Sequence, residues 1–425
     1  MIRQSRRDLL KTGAVAGTSL FVSEWLWPTH VVAANLREKL PVAAIVTEYR
    51  KASHADVIVG KILEGYRQDG GRGPDLKIVS LYADQFPAND LSRGLADKHG
   101  FRLTPSIDEA ITLGTNQVQV AGVLSIGEHG NYPMTPDTKQ HMYPRRRFFD
   151  EIVATFRRCG QSVPIFNDKH LSYRWSDAKY MVETAQTMKF PFIAGSSLPL
   201  GWRLPLVDLP MDCEIEAALA LGYGGLEAYG YHALETLQCM IERRRGGETG
   251  VSSVQAVTGD GIRTAEKQGR WSRDLFEAAL ATLPGSIKSN DEWMSKSDAA
   301  AYLMQHRDGL KSAVIMANGL STEFAFAAKL KGRAEPIATW FKLQPGPPYS
   351  HFAYLVQAIE HTIHTGNAAY PVERTLLTTG VLDRIMQSMS QDRKLFETPE
   401  LDVRYKAVDW PFANHPNATM SLPSD

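Results

Sequence analysis

The chain has only three cysteines in 425 residues, Cys159, Cys213 and Cys239. They are too few, and odd in number, for a disulfide framework, and none has the spacing of a metal site. An excess of either charge is also missing: 47 Lys and Arg stand against 47 Asp and Glu, a formal net charge of +0. Without a basic stripe, neither a nucleic acid nor an anionic membrane is indicated as a partner. Internal repeats and low-complexity tracts are lacking as well. What is present is a long chain with 43% hydrophobic residues. It can bury a large core and, by its length, form two domains.

The amino terminus reads Ser5-Arg6-Arg7-Asp8-Leu9-Leu10-Lys11, then a moderately apolar run over 12–27, then the small-residue pattern Val32-Ala33-Ala34. These three elements stand in the order of a twin-arginine export signal. The apolar run is too short and too polar-flanked for a membrane span. Residues 1–34 are therefore expected to be a signal peptide, the export machinery a partner, and the mature protein periplasmic or extracellular.

Strands and helices alternate through the next 160 residues. Apolar runs at 41–46, 76–82, 118–126 and 163–166 predict strands. Between them the spacing of Ala55, Ile58, Val59, Ile62 and Leu63 predicts one helix, and that of Phe148, Phe149, Ile152, Val153 and Phe156 another. Ser53 with Asp56, and Ser106 with Glu109, are helix-start signals, and Gly100 is a stop. Such alternation predicts a parallel, doubly wound sheet. Ligands of such sheets lie beyond the carboxyl ends of the strands. The tetrad Asn167-Asp168-Lys169-His170 sits at one such end, between the strand at 163–166 and a helix over 176–189.

This strand, acidic-Lys pair, helix and strand resemble the Glu-Lys-Pro segment of the glucose-fructose oxidoreductase / inositol dehydrogenase (Gfo/Idh/MocA) family, with Asp168-Lys169-His170 in its place. The resemblance implies an N-terminal Rossmann-like domain over 40–200, an α+β domain with a mixed or antiparallel sheet over 205–400, and a surface tail over 401–425. It also implies an oxidoreductase acting on a sugar or polyol by hydride transfer with NAD or NADP, with Lys169 as a catalytic lysine. The family's glycine fingerprint is degraded: Thr47 and Tyr49 stand where its first two glycines should be, and Ala52 takes the third place. The first glycine makes the tight turn and the second leaves room for the pyrophosphate, so Tyr49 is expected to push a dinucleotide away or change its pose. Arg50 could hold phosphate from above, Asp84 stands where an acidic residue holds a ribose hydroxyl, and His129 and Asp168 are expected to line the cofactor cleft.

In the second domain, Ala228-Tyr229-Gly230-Tyr231-His232 matches the family's D-x-G-x-H, so His232 stands at its catalytic histidine while Ala228 replaces the acidic neighbour. Glu227 and Glu235 are both close enough in sequence to substitute, and with Arg203 they are the expected substrate contacts. Hydride removal from an alcohol leaves a proton for a base; an imidazole near neutrality takes it, and an ammonium stabilises the alkoxide. Further strands are expected at 252–259, 311–318 and 339–343, helices at 272–281 and 296–305, and a sheet covered on one face. A small carbohydrate, and a second copy of the chain through this sheet, are the expected partners. His361 and His364 lie three apart on a helix, but no third residue has metal-ligand spacing. The alternative to an enzyme is a carbohydrate-binding or assembly protein that kept the fold and lost the dinucleotide.

Overall fold

The first sheet is built on β1 (Leu40–Val46), whose alternate residues serve two cores. Val42, Ala44 and Val46 pack with α1 (His54–Glu64), while Ala43 and Ile45 face the opposite side. In the computed structural model, which describes residues 38–285 and 290–422, the chain continues through β2 (Leu76–Ala83), α2 (Ser92–His99), β3 (Arg102–Leu103), α3 (Ile107–Thr112) and β4 (Gly122–Ile126). Then come α4 (Arg145–Cys159), β5 (Ile165–Asp168), α5 (Trp175–Met188) and β6 (Phe192–Gly195). The strand order is β3-β2-β1-β4-β5-β6, all parallel. Order reverses between β1 and β4, which defines the crevice where such sheets bind ligands. The twin-arginine segment lies outside the described residues, and no described helix is long and apolar enough to cross a membrane.

Local signals act as read. Ser53 Oγ accepts from Asp56 N and Ser106 Oγ from Glu109 N, while Gly100, in the left-handed region, returns its N–H to Ala96 O. The run at 118–126 pairs as a strand only from Gly122 onward.

A second sheet follows: β7 (Trp202–Leu204), β8 (Ile215–Gly222), α6 (Ala228–Ile241), β9 (Val251–Val257), α7 (Asp260–Lys267), α8 (Arg273–Ala281), β10 (Ala300–His306), β11 (Lys311–Met316), β12 (Phe324–Leu330) and β13 (Ile337–Lys342). Then α9 (His351–Thr365), α10 (Glu373–Ser390) and β14 (Phe396–Glu397) close the chain. The sheet order is β14-β9-β10-β11-β8-β12-β13-β7, antiparallel except for β11 with β8. Two expectations are corrected. The helix at 296–305 is strand β10: its Ala, Leu and Met favour a helix, but β10 lies between β9 and β11 with nearly every residue buried, and tertiary pairing overrides propensity. The sheet is covered on both faces, not one, because α7 and α8 bury Ile262, Leu275, Phe276 and Ala279 against Leu219, Leu221 and Ala327.

Residues Lys39–Asp425 form one compact unit. The change of sheet near 200–205 is not a gap in the core, since one apolar cluster holds Ala43 and Ile45 of β1 together with Ala218, Val254, Tyr302 and Leu382. α10 joins the sheets: Thr375 Oγ1 donates to Ala194 O (2.7 Å), Asp383 Oδ2 accepts from Trp175 N (2.9 Å), and Ser388 Oγ accepts from Ala256 N (3.0 Å). The expected surface tail is docked instead. Phe412 and Ala413 are buried, and Asn414 exchanges hydrogen bonds with the backbone of Arg203.

Arg374 of α10 and Glu242, just past α6, are both buried and paired through Nε at 2.8 Å. Arg374→Ala should lower unfolding free energy by roughly 3 kcal/mol in urea titrations, because it strands a buried carboxylate. Arg374→Met with Glu242→Leu should recover most of that loss.

Candidate active site

Ala52 (φ 59), His129 (φ 71) and Lys169 (φ 59), all at the carboxyl edge of the first sheet, are among the non-glycine residues that adopt a left-handed backbone outside a helix cap. Such strain persists where surrounding contacts impose it and clusters at functional sites. Here the contacts centre on Glu128, just past β4. Its carboxylate accepts from Lys169 Nζ at 2.8 Å and pairs with Arg145 at the start of α4. All three are buried. Burial alone would raise the Glu128 pKa, but the charges of Lys169 and Arg145 hold it well below the usual carboxylate range. Beside this group His54, the first residue of α1, pairs through Nδ1 with Asp168 Oδ2 at 2.7 Å. His129 lies 5.5 Å from His54, ring to ring, and burial with the neighbouring His54 lowers it to about 4.

The second sheet contributes His232 from α6. Its Nδ1 faces Ser196 Oγ at 3.1 Å and Glu235 Oε2 at 3.3 Å. Glu235 also accepts from the Ser196 amide at 2.8 Å. It reaches so close because residue 195 is glycine: a Cβ there would stand 2.9 Å from Glu235 Oε1. Of the two carboxylates that could replace the one missing at Ala228, Glu235 is the one that touches the imidazole. With Nδ1 so occupied, Nε2 is the ring nitrogen left for a substrate. Burial lowers the His232 pKa, Glu235 opposes this, and the charge of Lys169 lowers it further. Lys169 N also bonds Gly195 O, next to Ser196. Lys169 and His232 are thus electrostatic neighbours supplied by different sheets.

Other expected contacts lie elsewhere. Glu227 binds the His141 amide and borders a separate cavity of about 460 Å³ with Leu226, Met386 and Met389. Arg203 does not face the crevice: it is buried, bonds Asp208 at 2.9 Å and stacks over Phe412, so it fastens the crossing between sheets. His361 packs on Trp410 and His364 bonds Asp75 O. Sequence reasoning did not assign roles to His54, Glu128, Arg145 or Ser196. His54 had one usable signal, its place at the start of the helix that follows the degraded glycine loop.

The fingerprint loop is folded on itself. Thr47 Oγ1 donates to Glu128 O (2.5 Å), Arg50 pairs with Glu48, and Ala52 N donates to Asp56 Oδ2 (2.8 Å). Tyr49 is corrected: its ring does not project at a ligand but is fully buried in the cluster of Val57, Ile58 and Ile62, with its hydroxyl unpartnered. Asp84, expected on a ribose, accepts from Tyr82 Oη (2.8 Å), Tyr132 Oη (2.6 Å) and Arg147 (2.6 Å).

A Rossmann-like parallel sheet followed by a mixed sheet is also the architecture of solved structures that this chain resembles. Three of the solved structures that match show the likeness. GenD2 from gentamicin A biosynthesis, in complex with NAD, is 12% identical with a TM-score of 0.53, over 86% of this chain and 97% of that one. A myo-inositol dehydrogenase from Corynebacterium glutamicum ATCC 13032 is 13% identical (TM-score 0.51; 84% and 98% covered). An apo scyllo-inositol dehydrogenase from Lactobacillus casei is 9% identical (TM-score 0.51; 85% and 98% covered). No family model matches the sequence, and neither does any curated protein. At these identities the likeness is one of fold. The residues present do not fit a dinucleotide in the pose this fold uses, because Asp84 and the amides of Arg50 and Ala52 already have partners within the chain.

Acid should destabilise the protein through its buried imidazoles. Unfolded, they protonate near 6.5; folded, His129 does so only near 4 and His351 only near 3, both chiefly because of burial. Between these limits the unfolded chain binds more protons, so stability falls as pH drops from about 6.5 towards 4, by roughly 1–2 kcal/mol per imidazole at pH 5. Urea midpoints at pH 7 and 5 measure it; His351→Gln should flatten the slope.

Proposed function

We propose that the chain is an enzyme of the dehydrogenase fold that moves a proton on a sugar or polyol. His232 Nε2 acts as general base, and the Lys169 ammonium stabilises the oxyanion that forms. One observation carries this reading: Glu235 and Ser196 hold Nδ1 of a partly buried imidazole whose pKa is lowered, beside an ammonium fixed by Glu128. A neutral, oriented imidazole is what a general base at physiological pH requires, and the adjacent positive charge favours developing negative charge on oxygen. Lys169 has two further N–H groups beyond the one given to Glu128. The order Ser5-Arg6-Arg7 with its apolar run supports work outside the cytoplasm.

A second reading, oxidation of the same substrates with NAD or NADP, is favoured by the fold shared with NAD-bound GenD2. A screen of neutral sugars and polyols, each with and without nicotinamide dinucleotides, separates the two. Lys169→Ala and His232→Ala should each reduce turnover by about 10²–10⁴-fold, with nearly unchanged melting temperature. Full activity in both variants would remove these assignments.

The pH profile gives an independent check. Because its pKa is lowered, His232 stays unprotonated below the ordinary imidazole range, so the acid limb of kcat/KM should fall below about 6.5. The Glu235 hydrogen bond raises that pKa, so Glu235→Gln should move the limb to lower pH.

A further inference from the structure

We infer that the crevice between β1 and β4 is sealed by the chain's own groups, and that the enzyme therefore works without a dinucleotide and by redox-neutral proton transfer. This rests on the roles given above to His232 and Lys169. The seal is the segment 127–144, which leaves the end of β4 and crosses β1 to reach the end of β2. Its first tie is Thr47 Oγ1 to Glu128 O, at the place where the fold turns towards a pyrophosphate. Beyond β1, Asn131 and Gln85 exchange two hydrogen bonds, Asn131 N to Gln85 Oε1 at 2.9 Å and Gln85 Nε2 to Asn131 O at 3.1 Å. Tyr132 Oη then donates to Asp84 Oδ2, and Arg147 holds Oδ1. The strand order β2-β1-β4 makes this path unavoidable: a segment joining the ends of β4 and β2 must lie over β1.

The loop that leads into α1 is tied down in the same way. Such helix starts bind phosphate through free amides and a positive dipole end. Here the carboxylate of Asp56 takes the Ala52 amide, Ser53 Oγ takes those of Arg50 and Asp56, and Glu48 brings a second negative charge to the loop. A pyrophosphate would have to displace these bonds, and the cations of the loop are already committed, Arg50 to Glu48 and Lys51 to Asp56 at 3.4 Å. Tyr132 Oη and Arg147 take the oxygens of the Asp84 carboxylate that was expected to hold a ribose hydroxyl.

With no hydride carrier, the electrons of the broken C–H bond stay in the substrate. His232 Nε2 removes the proton from a hydroxyl-bearing carbon next to a carbonyl, and the C–H pair becomes the C=C bond of an enediolate whose oxygen lies by Lys169. The imidazolium returns the proton to the neighbouring carbon, and the hydroxyl proton passes to the other oxygen. An aldose thus becomes a ketose, or the reverse, with no oxidant or reductant.

Two measurements on the full mature chain test this. In hydrogen exchange followed by mass spectrometry, peptides spanning 50–53 and 130–132 should exchange slowly without ligand and be unchanged by millimolar NAD+, NADH, NADP+ or NADPH. In D2O, a panel of neutral aldoses and ketoses followed by NMR should contain a substrate that takes up carbon-bound deuterium without added nucleotide, and His232→Ala should abolish uptake. Stoichiometric nucleotide released on denaturation, or saturable protection on adding one, would overturn the seal; loss of turnover in His232→Ala would still leave the base assignment standing. Slow exchange without nucleotide binding, but no deuterium uptake by any sugar, would instead overturn the reaction and the reading it rests on.

Discussion

One buried carboxylate organises the carboxyl edge of the first sheet. Glu128 carries its negative charge inside the protein only because Arg145 and Lys169 surround it, and each of those cations is held in turn by the same carboxylate. Removing water from such a trio costs free energy, and only close, well-aligned pairing offsets it. The trio fixes several things at once. It sets the ammonium at the end of β5, the first turn of α4, and the point where the covering segment leaves β4. The same Glu128 offers its carbonyl to Thr47, which connects the covering segment to the loop after β1.

Much of the fold was legible in the sequence because the first half has the two periodicities that physics demands. Short apolar runs mark strands covered on both faces, and three-to-four spacing marks helices lying on them. Legibility failed where tertiary pairing outweighed local preference, as in β10, whose Ala-Leu-Met composition says helix while its neighbours β9 and β11 impose a strand. The docking of Phe412 and Asn414 was equally hidden, since a stretch rich in Pro, Asn and Ser gives no sign that its few apolar groups will find a groove.

The site was legible in part, and the boundary is instructive. Lys169, Asp168 and His232 could be placed because each stands at a recognisable position on its element, the first two at the end of β5 and the third in the first turns of α6. Tyr49 was located correctly but its direction was not: a sequence says which residue follows a strand, not which way the ring turns, and the core beneath α1 accepts it. Glu227 and Glu235 could not be separated by spacing alone. Gly195 decides between them, because a bare Cα lets Glu235 come up to Ser196 and His232. Glu128 and Arg145 act only as partners brought together from 17 positions apart, which no motif announces.

The docked carboxyl-terminal segment bears on how a molecule could enter. Ala413 pairs with Leu200, Asn414 brackets Arg203, and Leu422 meets Tyr354. These bonds lace the stretch between the two sheets, while α10 bolts them together from the other side. A hinge there would have to tear both fastenings, so the two halves behave as one jaw already shut. If Lys169 and His232 receive a ligand as proposed, the loops around the rim, rather than a swing of whole domains, are the route these fastenings leave open.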